Sequence, residues 1–262
     1  MCTITNSHFK TFDGLTYKFQ GTCDYILSKD TNNGYAVILE NVPCIKSSSN
    51  VFNSCGKNLK LAAAGGSSIE LLQEKVTKYN GKVVKLPFSM DGLVIKEVSS
   101  QFVMVQVVTG LTVYYDGHRR ILIHLSANHV YGDIQGLCGS QDGNQRNDMT
   151  TPQGALEGNA VIFANSWKSK QCVDDKQIED GCNVNVQRVK EAKLKCSVLS
   201  KAPFSACHGA VDPEAYIDDC EEEVCGCPPG EKCHCHAVHR YLAICANKGI
   251  MIRLTNTTEC GK

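Results

Sequence analysis

The segment Gly136-Leu137-Cys138-Gly139-Ser140-Gln141-Asp142-Gly143-Asn144-Gln145-Arg146-Asn147-Asp148 sets a cysteine directly before a loop crowded with side-chain oxygens and glycines. Asp142, Asn144, Asn147 and Asp148 can converge on one hard cation, because Gly143 lets the backbone turn back sharply between them. The spacing is not that of an EF-hand, which places ligands at alternating positions and ends on a bidentate Glu. The same residue types also build a polar Asx-rich turn that holds no ion. On the loop alone both readings stay open.

Other reactive side chains point to weaker chemistry. Cys225, Cys227, Cys233, His234, Cys235, His236 and His239 are dense enough to suggest soft-metal ligands, yet paired C-x₂-C motifs at finger spacing are missing. His236 and His239 sit one helical turn apart and could sense acidification, or simply line a solvated helix face. Catalysis is not indicated. There is no Gly-x-Ser-x-Gly elbow, no His-Glu-x-x-His and no phosphate-binding glycine loop. His124 alternates with apolar residues along a strand pattern, which reads as a packed or surface strand position. The acidic run Glu221-Glu222-Glu223 reads as an exposed helix face.

The elements that must position these groups fall into two halves. Of 16 cysteines in 262 residues, five lie before residue 139 and eleven between Cys172 and Cys260, so the composition shifts between Cys172 and Cys182. An even, high count at irregular spacing implies disulfides and an oxidising, extracellular setting. The sequon Asn256-Thr257-Thr258 is a glycosylation acceptor in that setting. Acidic and basic residues balance at 27 each, which gives no reason to invoke a nucleic-acid or membrane-surface partner. No apolar run approaches the ~20 residues needed to span a bilayer. No secretory leader is legible after Met1, so the chain reads as a mature or excised piece.

The first half reads as antiparallel β. Asn80-Gly81, Asp91-Gly92, Thr109-Gly110 and Asp116-Gly117 punctuate short β-branched and aromatic runs. The clearest strands are 101–108, 111–115 and 120–125, a meander expected in a sandwich. The second half switches to helical signals. Asp212-Pro213-Glu214 supplies an N-cap, a first-turn proline and a first-turn acid. Tyr216, Ile217, Cys220 and Val224 follow at helical spacing. Further helices are expected from His236 to Lys248, capped by Gly249, and from Val184 to Lys195. The overall class is α+β and mainly β: an antiparallel sandwich-like domain, then a small disulfide-rich helical module.

Five motifs in order carry a resemblance. They are Asn6-Ser7-His8-Phe9-Lys10-Thr11-Phe12-Asp13-Gly14-Leu15-Thr16-Tyr17, Gly21-Thr22-Cys23-Asp24-Tyr25-Ile26-Leu27, the Gly136–Asp148 segment, Phe163-Ala164-Asn165-Ser166-Trp167, and the helical half with Cys207, Val211–Tyr216, Cys220, Cys225-Gly226-Cys227 and Cys245. Together they resemble a von Willebrand factor type D domain followed by a C8 module, with domains at 1–175 and 176–252. Residues 253–262 then resemble the start of a truncated trypsin-inhibitor-like segment.

The resemblance implies Ca²⁺ held by Asp13, Asp142, Asn144, Asn147 and Asp148, with Asn144 acting through its side chain or its carbonyl. It implies disulfides Cys2–Cys138, Cys23–Cys172, Cys44–Cys55, Cys182–Cys225, Cys196–Cys220, Cys207–Cys245, Cys227–Cys233 and Cys235–Cys260, which use every cysteine. It implies a secreted, non-catalytic structural or assembly module of a large adhesive, mucin-like or matrix glycoprotein. Partners would be the parent's other domains, a second copy, or an extracellular protein or glycan. The alternative role is a ligand-binding module, which exposed apolar surface on the β half would favour.

Departures from the family pattern carry their own expectations. Asn6, Ser7 and His8 replace a Gly-Asp-Pro-His cleavage motif, so no self-cleavage is expected there. Gln135 replaces the first cysteine of a Cys-Gly-Leu-Cys motif, so thiol exchange at Cys138 is not expected. Glu231-Lys232 stand where subunit-linking members carry a further cysteine, so covalent dimerisation is not expected.

Overall fold

A computed structural model of the chain describes all residues except 6, 33, 44–53, 64, 91, 100–101, 127–132, 177–185, 226–231, 255–259 and 261–262, and excepting also the side chains at 54, 55, 215, 236, 243 and 247. The chain divides into two units, Met1–Gln177 and Ile178–Lys262.

In the first unit the strands are β1 (Cys2–Thr5), β2 (His8–Lys10), β3 (Thr16–Lys18), β4 (Asp24–Asp30), β5 (Tyr35–Pro43), β6 (Ser54–Ala63), β7 (Ser68–Leu71) and β8 (Thr77–Tyr79). They continue with β9 (Lys82–Val83), β10 (Phe88–Met90), β11 (Leu93–Glu97), β12 (Val103–Val107), β13 (Leu111–Tyr115), β14 (Arg120–Leu125) and β15 (Ile134–Gln135). They form two antiparallel sheets, ordered β10-β11-β12-β13-β14-β1-β2-β3 and β15-β4-β5-β6-β7-β8-β9. Alternation dictates the inner faces. Tyr115, Ile121, Ile4, Phe9 and Tyr17 stand opposite one another in consecutive strands of the first sheet. Tyr25, Leu39, Leu59 and Leu71 do the same in the second. Both rows contribute to one core, and burying each such aliphatic side chain is worth about 1.5–3 kcal/mol.

A helix, α1 (Ala160–Ser166), closes this unit. Asn159 caps it by accepting from the amides of Val161 and Ile162. The helix buries Phe163 and Ala164 and delivers Trp167, which is 1% exposed, into the same core. Beyond it the chain runs along β4: the Ile26 amide donates to the Trp167 carbonyl and the Ser169 amide to the Asp24 carbonyl. Asp175 then accepts from Thr22 and from Tyr25, which anchors the end of the unit.

The second unit contains α2 (Val186–Cys196), α3 (Glu214–Cys225) and α4 (His234–Asn247). Asp212 accepts from the Glu214 amide at 3.1 Å, the N-terminal contact expected from its sequence. The last helix starts two residues earlier than the His236 expectation, because its N-cap, Cys233, makes no side-chain cap bond that sequence could advertise. One further expectation is corrected. Glu221, Glu222 and Glu223 are half-buried, not an exposed face. The cause is that α3 packs against both α2 and α4, and Glu223 pairs with Arg240 of α4 at 2.6 Å. Burial also pushes the Glu221 carboxyl up.

Candidate metal centre

The loop 136–148 is held from both ends. Leu137 and Cys138 donate their amides to the Ile26 and Leu27 carbonyls of β4, and Cys138 is joined to Cys2 across a Cα–Cα distance of 5.6 Å. Gly136 has φ +138°, and a Cβ there would stand 2.5 Å from the Leu27 carbonyl oxygen. The turn after β2 is drawn to the same place, because the Phe12 amide donates to the Cys138 carbonyl at 3.0 Å.

That bond delivers Asp13 to the loop. Its Oδ2 accepts from three successive amides, those of Asp142, Gly143 and Asn144, at 3.1, 3.0 and 3.1 Å. Gln145 Nε2 donates to the Asp13 carbonyl at 2.7 Å. Asp142 accepts from the Asn144 amide and, on Oδ2, from Asn147 Nδ2 at 2.7 Å. The Asn147 bond is the chief reason its carboxyl is held below the ordinary range. Asn147 Oδ1 accepts from the Ser140 hydroxyl. The Asn144 side-chain oxygen instead caps a 3₁₀ turn, Gln145–Asn147, by accepting from the Arg146 amide.

Asp148 is the buried member at 1% exposure. Its oxygens accept from the Thr11 hydroxyl at 2.6 Å and the Ser140 amide at 3.2 Å. Burial pushes its carboxyl up, against the Thr11 bond, and the negative fields of Asp13 and Asp142 add to the rise. Stability from such a raised carboxyl is present in acid and lost as pH rises through its folded value. A cation beside the ionised form would offset that loss. Tyr17 donates its hydroxyl to the Leu137 carbonyl at 2.5 Å, and burial, then Asp148, keeps it a neutral phenol. A cleft of about 440 Å³ lined by Gly136, Ser140, Gln141, Asp142, Asp148 and Trp167 opens beside the loop.

The side chains offered here carry oxygen donors, which suits a hard divalent cation, but the carboxylate oxygens of Asp13, Asp142 and Asp148 do not all lie within 4.8 Å of one another. Asp142 and Asn147 bond to each other and Asp13 bonds to the loop amides, whereas Asp148 bonds to Thr11 and Ser140 and the Asn144 side chain turns to the backbone. Sequence reasoning passed over Thr11, Ser140 and Gln145; a hydroxyl two residues before Asp13 was the available signal. Gly139, at φ +69°, leaves room for Asp148, since a Cβ there would stand 2.3 Å from Asp148 Oδ1. Gly139→Ala should therefore cost about 1–3 kcal/mol by overpacking, read as a lower urea midpoint; an unchanged midpoint would show that the carboxylate moves aside freely.

The cysteines are joined as Cys2–Cys138, Cys23–Cys172, Cys196–Cys220, Cys207–Cys245 and Cys235–Cys260. Cys225 and Cys233 are also disulfide-bonded; their expected partners Cys182 and Cys227 lie outside the described residues. So do Cys44, the Cys55 side chain, Asn6, Glu231 and the sequon residue Asn256. Among the described residues, one trio of His, Cys, Asp or Glu ligand atoms lies within 4.8 Å of one another: His234, Cys235 and Cys260. Its sulfurs are spent on a disulfide, which leaves no thiolate for zinc. His239 is exposed with Nε2 3.1 Å from the Cys260 carbonyl, and the His236 side chain lies outside the described residues. Gln135 pairs with Lys29 at the edge of the second sheet, and Cys138 is fully buried.

Comparison with known families agrees with both units. The model of the von Willebrand factor type D domain matches residues 2–155. The chain belongs to the von Willebrand factor type D family. A C8 domain model matches residues 195–261, and Ile252, Leu254 and Cys260 pack on the core of the helical unit. The chain is similar to von Willebrand factor of Bos taurus, 32% identical over 265 residues, covering 99% of this chain and 28% of that protein. It is similar to SCO-spondin of Gallus gallus (34% identical, 99% of this chain, 5% of that protein) and to Mucin-2 of Homo sapiens (32%, 98% and 5%). This type D and C8 pair thus spans under a third of each of these relatives. Among its described residues no helix is long and apolar enough to cross a membrane.

Proposed function

We propose that this type D–C8 pair is a calcium-stabilised, non-catalytic module of a secreted glycoprotein, with a structural role in assembly. The observation that carries the reading is the reach of Asp13 across some 130 residues of chain to three amides of the 142–144 loop. A divalent ion held by Asp13, Asp142, Asn147 and Asp148 would offset their mutual repulsion and clip the turn between β2 and β3 to the late loop. Disulfides do the same work covalently: Cys2–Cys138 spans 136 residues and Cys23–Cys172 spans 149. Crosslinks of this density suit an oxidising, extracellular setting. The relatives, all far longer than this chain, suit a part that works joined to other domains.

Size-exclusion chromatography with light scattering tests the assembly role. The expected result is a mass above the 28.6 kDa chain that rises with concentration and falls when Ca²⁺ is chelated. A monomer mass throughout, at about pH 5.5 and about pH 7.4 alike, would sink it.

A further inference from the structure

Asp13 is gripped at two points, and only one of the grips carries charge. The residue sits at the tip of the turn between β2 and β3. There the Gly14 amide donates to the Thr11 carbonyl at 3.2 Å, and the Leu15 amide donates to the Thr11 hydroxyl at 2.8 Å. From that tip the Asp13 carboxylate meets the amides of residues 142–144, while its backbone carbonyl accepts from Gln145 Nε2 at 2.7 Å. The local backbone aims Gln145. It opens the 3₁₀ turn Gln145–Asn147, which the Asn144 side chain caps by accepting from the Arg146 amide at 3.3 Å. Gly14 leaves the space that the glutamine needs. Its φ is +98°, and a Cβ there would stand 3.0 Å from Gln145 Nε2.

The two grips respond differently to charge. The amides around the Asp13 carboxylate form an anion-binding concavity, but one donor is shared. Asp142 Oδ1 also accepts from the Asn144 amide, at 2.9 Å. Two carboxylates converging on one N–H repel each other, so this grip is under stress until a cation is present. The Gln145 bond joins a neutral amide to a neutral carbonyl. It needs no cation and is not weakened by the neighbouring acids in the same way.

We propose that Gln145 is a positioning residue: it closes the turn between β2 and β3 onto the late loop before any cation arrives. What the closed loop is for rests on the calcium reading above; its closing does not. A cation that enters a closed loop spends none of its affinity on closing it. Where only a fraction of the protein is closed, the apparent affinity falls by that fraction.

The test is site-resolved amide hydrogen exchange of the intact chain in chelator, read at Asp142, Gly143 and Asn144, beside calorimetric titration with Ca²⁺. In the parent chain these amides should exchange slowly without calcium. Gln145→Met, close to glutamine in length but lacking a donor, should speed them by about three- to tenfold, the worth of one hydrogen bond. Gln145→Lys, which restores a donor, should exchange as the parent does. Urea midpoints should match the parent in both variants, which separates positioning from loss of the fold. Calcium affinity in Gln145→Met should fall by the same factor as the amides speed up. Unchanged exchange in Gln145→Met would overturn the role, and so would a lysine variant as open as the methionine one. Parent amides that exchange at free-chain rates until Ca²⁺ is added would also overturn it, because the ion would then close the loop itself. Slow, Gln145-dependent exchange in a chain that takes up no calcium would uphold the positioning role and sink the calcium reading alone.

Discussion

Replacing Cys207 and Cys245 by alanine should unfold the helical unit at body temperature while leaving the β unit folded. The bond closes a 38-residue separation, and both cysteines are fully buried. Loop entropy for that length is worth about 4 kcal/mol in the chain-entropy model, and a small helical core seldom supplies more than about 3–5 kcal/mol on its own. The core here consists mainly of Phe204, Leu199, Val211, Val238 and Tyr241, packed among the cysteines themselves. Tyr241 adds one buried bond, to the Val211 carbonyl at 2.9 Å, and edge contacts with Tyr216. Far-UV circular dichroism should lose its helical signal, and limited proteolysis should cut after residue 186 while sparing the first unit. Melting of the helical signal within about 2 °C of the parent chain, a shift that corresponds to well under 1 kcal/mol, would contradict this account of what holds the unit together.

Trp167→Ala should cost the β unit about 3–5 kcal/mol, the range for deleting a buried large aromatic. The ring fills the core at 1% exposure, its Nε1 donates to the Thr150 carbonyl at 3.2 Å, and Lys29 Nζ stands 5.5 Å from its centroid. Thr150 in turn donates to the Asn147 carbonyl, so the cavity opens directly behind the 142–148 loop. Trp167→Phe keeps most of the packing and loses one hydrogen bond, for about 1 kcal/mol beyond its smaller volume. Urea midpoints of the two variants should therefore differ clearly. Equal midpoints for alanine and phenylalanine would mean that the core does not depend on the ring.

How much of this was legible in the sequence differs by element. Strands β13 and β14 match their expected spans because Gly110 and Gly117 end the runs on both sides. The short edge strands β3, β9 and β15 have two or three residues each and carry no alternation to read. Helix α3 announced itself through Asp212 and Pro213, whereas the start of α4 at His234 lacks any capping side chain. The loop's glycines and acids marked a candidate site, but nothing in local spacing links Asp13 to residues 130 positions away; that came from family resemblance. Nor could spacing tell that the Asn144 side chain would cap a 3₁₀ turn, or that Thr11 would reach Asp148. Those are consequences of Phe12 bonding to Cys138, a contact set by the fold.

We propose that one divalent ion joins Asp13 to the late loop. It is tested most directly by titrating Ca²⁺ calorimetrically into chelator-stripped protein, beside the Asp13→Ala variant. The account predicts uptake of about one ion and a melting temperature of the β unit raised by about 5–10 °C at a hundredfold excess over Kd, from about 2.7 kcal/mol of linkage, both abolished in the variant. No heat of binding and an unchanged melting temperature in the parent chain would contradict it.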